Sequence, residues 1–247
     1  MTQHSATLGD VRMAYDDDGS GDPLVLLHPG LADARAWEAN LPGLAERFRV
    51  YRPDQRGHGR TPDVPGPITL VQMAEDTIAF LEQVVGGPAP LVGHSTGALL
   101  ALTVALRRPD LVPRLVVSAG VFHHDAWAPG VLDPLDDETM AFFVEWHDAV
   151  SPDGPGHFPL VAQRVLYMHR QEPAYAQRDL AGYPHPALVM IGDDDEEIPI
   201  EHTLALRAGL PDAQLCVVPG AGHGSLGDKP ALCNHIIVDF LTEERTG

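Results

Sequence analysis

The stretch Leu91-Val92-Gly93-His94-Ser95-Thr96-Gly97-Ala98-Leu99-Leu100 constrains this 247-residue chain more than any other. It reads as a short apolar strand, an abrupt turn with Ser95 at its tip, and an apolar helix. Gly93 and Gly97 bracket the serine in G-x-S-x-G spacing, the pattern of a nucleophile held at a strand-to-helix elbow. The glycines have a steric reason: strand and helix approach closely at such a bend, so the serine's neighbours must lack Cβ atoms. The bend also favours chemistry. Ser95 Oγ would stand clear of the sheet, and Thr96 N–H would lie at a helix N-terminus, where a developing oxyanion is stabilised.

The rest of the chain supplies the sheet that an elbow needs. Residues 11–15 read as an early strand, closed by the acidic, turn-rich residues 16–21. Residues 23–28 form a nearly continuous apolar run, the mark of a strand buried on both faces of a parallel sheet. Residues 34–48 carry helical spacing at Trp37, Leu41, Leu44 and Phe48, interrupted by Pro42, and residues 49–52 read as a strand. Thr69 and Gln72 have capping-box spacing at the start of a helix with Met73, Thr77, Leu81 and Val84 on one face. The helix after Ser95 is apolar on nearly every side, so it is expected to be buried. It stops at Arg107-Arg108-Pro109, with positive charge and then a breaker at its C-terminal end.

Further strands are expected over residues 115–117, 186–191 and 214–218, with helices over 201–208 and 229–241. The last helix should bury Leu232, Ile236, Ile237, Phe240 and Leu241. Strands alternating with helices at this interval indicate an α/β fold: a mostly parallel central sheet with helices on both faces.

Residues 121–182 break the rhythm. They lack a buried strand, show helical patches near Asp136, Pro159 and Pro173, and hold eight of the chain's fifteen aromatic residues. The sequence thus divides into a core, 1–120 and 183–247, and a helical cap insertion, 121–182. Apolar caps over an elbow shape a substrate pocket. Candidate pocket residues are Phe122, Trp127, Phe143 and Trp146 from the cap and Leu31 and His94 from the core. His147 and His169 are candidate polar contacts.

In such a sheet, ligands sit at the strand ends on the Ser95 side. An acid and a histidine are expected there, and both follow in order. The strand ending at Ile191 leads into Gly192-Asp193-Asp194-Asp195-Glu196-Glu197-Ile198-Pro199, and the strand ending at Val218 into Pro219-Gly220-Ala221-Gly222-His223-Gly224. A serine hydroxyl is a poor nucleophile near neutral pH and needs an imidazole to take its proton. The imidazole in turn needs a carboxylate to fix its tautomer. Five acids lie in the run after Ile191, and a charge run is usually a solvated face. Asp194 and Asp195 are the two candidates.

Five pieces in this order resemble the α/β-hydrolase superfamily over almost the whole chain. They are His28-Pro29-Gly30, Asp54-Gln55-Arg56-Gly57-His58-Gly59, Gly93-His94-Ser95-Thr96-Gly97, Gly192-x-x-Asp195-x-x-x-Pro199 and Gly222-His223. The resemblance implies an α/β-hydrolase fold with Ser95 as nucleophile, Asp195 as orienting acid and His223 as general base. It implies an oxyanion hole from the N–H groups of Thr96 and Gly30, with Leu31 as the next choice. The family usually has glycine directly after the first histidine, where this chain has Pro29; that position is not an expected donor. Arg56, His58 and His28 look like turn and loop anchors.

The function so implied is a serine hydrolase with no cofactor, acting on a small to medium, largely apolar carboxylic ester or lactone. Thioesterase, cofactor-free haloperoxidase or perhydrolase, and carbon–carbon bond hydrolase share the triad and are alternatives. A non-catalytic ligand-binding relative is a second class of reading. A serine at the elbow argues against the superfamily's dehalogenases and epoxide hydrolases, whose nucleophile is an aspartate.

Charge excludes other partners. The formal net charge is −19, from 35 acidic and 16 basic residues. Nucleic acid and anionic membrane surfaces call for a basic patch, so neither is an expected partner; a small-molecule substrate is. No run approaches the roughly 18 apolar residues of a membrane span, and residues 1–10 lack a signal pattern, so a cytoplasmic protein is expected. Cys216 and Cys233 sit among apolar neighbours and are expected to be reduced. His123-His124-Asp125 is not expected to bind metal, because adjacent histidines should point in different directions and no second ligand pair follows. Monomer and homodimer are both compatible with the sequence.

Overall fold

The structure, a computed structural model, describes residues 2–243. Eight strands form one sheet in the order β1-β2-β4-β3-β5-β6-β7-β8. These are β1 Thr2–Leu8, β2 Val11–Gly19, β3 Asp22–Leu27, β4 Phe48–Pro53, β5 Leu91–His94, β6 Leu115–Ser118, β7 Ala187–Gly192 and β8 Ala213–Val218. The first hairpin, β1 with β2, and the pairing of β2 with β4 are antiparallel; every later pairing is parallel.

The central strands β3, β5, β6 and β7 are the continuous apolar runs of the sequence, and pleating splits each between two cores. Val25, Leu27, Leu91, Leu115, Val117, Val189 and Ile191 face one core. Leu24, Leu26, Val92, Val116, Leu188 and Met190 face the other. The first is covered by α2 Leu70–Phe80 and α3 Thr96–Arg107, the second by α1 Leu41–Ala45 and the C-terminal helix.

Local chemistry sets several boundaries. Thr69 Oγ1 accepts the Gln72 N–H at the start of α2, a cap worth about 1 kcal/mol. Residues 34–48 form a 3-10 turn, Ala34–Trp37, and the short α1 with Pro42 in its first turn, not one interrupted helix.

Three other expectations are corrected. Residues 16–21 are a loop only at Ser20 and Gly21: β2 runs through Asp16, Asp17 and Asp18 to Gly19. Their charges are matched from outside the strand, because Arg49 pairs with Asp17, Arg52 with Asp18 and Arg60 with Asp16.

Between β6 and β7 lie α4 Asp137–Asp148 and α5 Phe158–His169, with 3-10 turns at His124–Ala126 and Gln177–Gly182. No α-helix starts near Pro173; residues 173–174 are extended, and Ala174 bridges to His123. After β7 come α6 Ile200–Gly209, then α7 Ser225–Asp228 and α8 Pro230–Thr242 beyond β8. On α8, Ile237, Phe240 and Leu241 are buried as expected, Ile236 is half-buried, and Leu232 points outward at 41% exposure. Among the described residues no helix is long and apolar enough to cross a membrane.

Candidate active site

The elbow is built as crowding requires. Ser95 holds φ 52° and ψ −122°, one of two positive-φ non-glycine residues among those described. A strained position of this kind persists only when its surroundings impose it. Here β5 and α3 do. A Cβ on Gly97 would lie 2.0 Å from Leu27 O, and one on Gly93 would lie 2.1 Å from Gly97 O.

Three strand ends meet above it. Ser95 Oγ–H donates to His223 Nε2 at 3.0 Å, and His223 Nδ1–H donates to Asp195, whose two oxygens both lie 3.1 Å away. Asp195 Oδ1 also accepts the N–H groups of Glu197 at 2.9 Å and Ile198 at 3.0 Å. Burial works to raise the Asp195 pKa, but the His223 hydrogen bond and these two N–H groups hold it below the usual carboxylate value. Burial likewise works to lower His223, and Asp195, Glu197 and Glu196 outweigh it, so the imidazole pKa is raised above 6.5. Asp194 is exposed, and Asp193 Oδ1 instead accepts the Ala221 N–H at 3.2 Å, tying the acid loop to the histidine loop.

The loop after β3 is oriented by a histidine. The Gln55 N–H donates to His28 Nε2 at 2.9 Å, so the proton of this imidazole sits on Nδ1, which donates to Pro29 O at 2.8 Å. Burial pushes the His28 pKa down to about 4, in keeping with a neutral ring. In a trans peptide the N–H points opposite the carbonyl, so the Gly30 N–H is turned away from His28. His58 Nε2–H donates to Gly30 O at 2.7 Å. Gly30 lies so close to the elbow that a Cβ on it would be 2.2 Å from Thr96 Oγ1. Arg56 is held apart from this chemistry in a buried ion pair with Asp76.

Ser95 and His223 open onto a cavity of about 260 Å³. The floor is Ser95, Thr96 and residues 29–32; the walls are Trp127, Val131, Leu132 and Leu135, Thr139 and Phe143 of α4, and Val165, Leu166 and His169 of α5. Glu197 and His223 complete the lining. His169 Nε2 is hydrogen-bonded to Thr96 Oγ1 at 2.8 Å, its ring stacks on Trp127, and burial pushes its pKa down to about 4. A wider cleft of about 520 Å³ lies away from Ser95, beside Asp16 of β2 and Arg52 of β4. Its arginines are already paired: Arg35 with Asp33, Arg52 with Asp18, and Arg60 with Asp16 and Asp54.

Of the pocket residues expected from sequence, Leu31, Trp127 and Phe143 line the cavity and three others do not. His94 is the last residue of β5 and lies behind the site, its ring 5.4 Å from that of His223. Phe122 is turned onto His202, with ring centroids 4.1 Å apart, and its N–H donates to His202 Nε2. Trp146 is drawn outward: its indole N–H donates to Asp33 at 2.9 Å, and the Arg35 guanidinium lies 4.3 Å over its ring. Of the two polar candidates, His169 lines the cavity and His147 is buried away from it.

Val131, Leu132 and Leu135 were missed because the cue was aromatic content. Their signal is an apolar triplet in a polar stretch just before the Asp136 cap of α4. The expectation that His123 and His124 diverge also fails. Their rings stack 4.5 Å apart, and with Asp125 they bring ligand-capable atoms within 4.8 Å of one another, at the surface. The extended backbone of His123, bridged to Ala174, and the hydrogen bond between His124 Nδ1 and Pro173 O bring the rings to the same side.

Known proteins share this architecture. The family model described as "Alpha/beta hydrolase family" matches residues 24–235. RutD of Agrobacterium fabrum, which carries the name carbamate hydrolase, is 26% identical over 89% of this chain and 93% of its own. An enol-lactonase from Burkholderia xenovorans superposes with a TM-score of 0.79 at 21% identity, covering 97% of this chain and all of that one. A meta-cleavage product hydrolase from Pseudomonas fluorescens gives 0.77 at 22% identity, over 96% and 97%. At those identities the structural likeness speaks for the fold. With the eight-stranded, mostly parallel sheet and the match over residues 24–235, the chain belongs to the alpha/beta hydrolase family.

Proposed function

We propose that this chain is a serine hydrolase that cleaves a small to medium, largely apolar carboxylic ester or lactone through an acyl-enzyme. The observation that carries the reading is Ser95 Oγ within 3.0 Å of His223 Nε2, on the floor of a mostly apolar 260 Å³ cavity. Ser95 Oγ attacks the carbonyl carbon as its proton passes to His223 Nε2, and Asp195 stabilises the imidazolium. The N–H groups of Gly30 and Thr96 receive the oxyanion. The tetrahedral intermediate collapses, His223 returns the proton to the departing alkoxide, and the alcohol leaves or, in a lactone, stays tethered. Water then repeats the sequence on the acyl-enzyme, with His223 as base.

The likeness to RutD favours a second reading, in which the carbonyl belongs to a carbamate. The first step is the same, and the leaving group carries nitrogen or oxygen. Thioesters, carbon–carbon bond substrates and peracid formation would use the same relay and are separated from esters by a substrate panel.

The test is labelling with a fluorophosphonate, beside Ser95→Ala and His223→Ala, followed by turnover of p-nitrophenyl butyrate. Wild type should label at Ser95 and Ser95→Ala should not. His223→Ala should label and turn over slower by roughly 10³-fold or more. A folded wild type that stays unlabelled would overturn the reading in favour of a ligand-binding relative.

A further inference from the structure

The cavity lining holds a carboxylate to which the proposed reaction gives no step. Among the described residues that line it there is no lysine or arginine, and its acid is Glu197. The Glu197 carboxylate lies 3.3 Å from His223 Nε2, its side chain 36% exposed. Its backbone is held on both sides: the N–H donates to Asp195 Oδ1, and the carbonyl accepts the Ala128 N–H at 2.9 Å.

Geometry ties Glu197 to the leaving group. The departing atom must take its proton from His223 Nε2, which requires an approach of about 3 Å. Glu197 Oε2 and Ser95 Oγ lie 3.3 Å and 3.0 Å from that same nitrogen. Substituents one to three bonds beyond the departing oxygen therefore pass beside Glu197. A second carboxylate there would face the first with no lysine or arginine in the lining between them; burying like charges together is costly. An ammonium there would meet a half-buried partner and form a charge-assisted hydrogen bond. The formal net charge of −19 acts in the same direction over longer range, attracting cations and turning anions away.

We propose that Glu197 is the specificity-determining residue of this pocket: its carboxylate pairs with a protonated amine on the leaving portion of the substrate and rejects leaving groups that bear a carboxylate. This rests on the serine-hydrolase reading above and narrows its substrate to esters of amino alcohols.

The experiment measures protection of Ser95 from a fluorophosphonate by three free alcohols of similar size: dimethylaminoethanol, isopentyl alcohol and β-hydroxypropanoate. It is run at about pH 8, where the amine is protonated and the carboxylates are ionised. In wild type the amino alcohol should half-protect at about a tenfold lower concentration than isopentyl alcohol, and the hydroxy acid at a higher one. Glu197→Gln should collapse the spread to within roughly threefold, and Glu197→Asp should keep the order with a narrower spread. The butyrate esters of the three alcohols should rank the same way in kcat/KM. An unchanged spread in Glu197→Gln, or a wild type best protected by the hydroxy acid, would overturn the inference while leaving the hydrolase reading intact. Failure of wild type to label at all brings down the hydrolase reading itself.

Discussion

Helices α4 and α5 are both twelve residues long and both line the candidate pocket, yet they are held in different ways. α5 buries Phe158, Val161, Ala162, Val165, Met168 and His169, and its Val161, Val165 and Met168 belong to the same core as β3, β5 and β6. α4 buries only His147, and Phe142 stands 57% exposed. What holds α4 is a set of discrete contacts: Trp146 with Asp33, Arg35 with Trp146 O, and Phe143 stacked on Phe158. One wall of the pocket is therefore part of the hydrophobic core, and the other is attached to it. A change on the first is a change in stability. A change on the second is a change in fit.

The strongest way to break this contrast is to place the same charge on each helix. Val161→Asp buries an unpartnered carboxylate and should cost about 4 kcal/mol or more, whereas Phe142→Asp should stay within about 0.5 kcal/mol. Urea unfolding followed by circular dichroism reads both, and equal losses would show that α4 is as deeply docked as α5. Phe143→Ala tests fit. The ratio of kcat/KM for p-nitrophenyl hexanoate over acetate should fall roughly tenfold, with stability down by about 1 kcal/mol or less. A large stability loss with an unchanged ratio would reverse the roles of the two walls.

Titration sharpens the contrast further. His223 must be neutral to take the Ser95 proton, and its pKa lies above 6.5 because the Asp195 hydrogen bond and the Glu197 and Glu196 charges outweigh burial. kcat/KM should therefore fall as pH drops through that raised value. Around the ring stand Asp195, Glu196 and Glu197 of the acid loop, His94 of β5, whose pKa burial lowers to about 3, and His169 of α5. Glu197→Gln removes a charge that favours the imidazolium, so the acidic limb should move to lower pH. Phe143→Ala removes no charge and only loosens the burial that lowers the His223 pKa, so it should not move the limb to lower pH. A pH–rate profile that moves to lower pH with Phe143→Ala and not with Glu197→Gln would contradict both assignments. The most local effect belongs to Trp146→Phe, which deletes one hydrogen bond to Asp33. It should cost about 1 kcal/mol, seen as faster amide exchange in α4.

What could be read from the sequence follows the same division. Ser95, Asp195 and His223 sit at strand ends, where the change from apolar run to Gly-rich turn is written locally, so their neighbourhood was legible before any contact was known. The strand through Asp16, Asp17 and Asp18 was not, because the arginines that match those charges lie more than thirty residues away. Strand β1 was overlooked for a related reason: its residues are mostly exposed at the sheet edge and carry little apolar signal. Phe122 and Trp146 were placed in the pocket on ring chemistry alone, but His202 and Asp33 turn them away. Glu197 was hidden in plain view. Inside a run of five acids nothing marks the one whose backbone is pinned by Asp195 and whose carboxylate reaches His223.

The hydrogen-bond chain from Gln55 N–H through His28 to Pro29 O bears on more than the shape of one loop. In the proposed reaction the Gly30 dipole already points the right way before substrate arrives, so its reorganisation is completed during folding and not during turnover. Catalytic power is then heritable through residues that never approach the substrate. A drifting population of sequences could lose rate at Gln55 or His28 while every group in the pocket stayed the same. It could also regain that rate by restoring the order of one peptide plane.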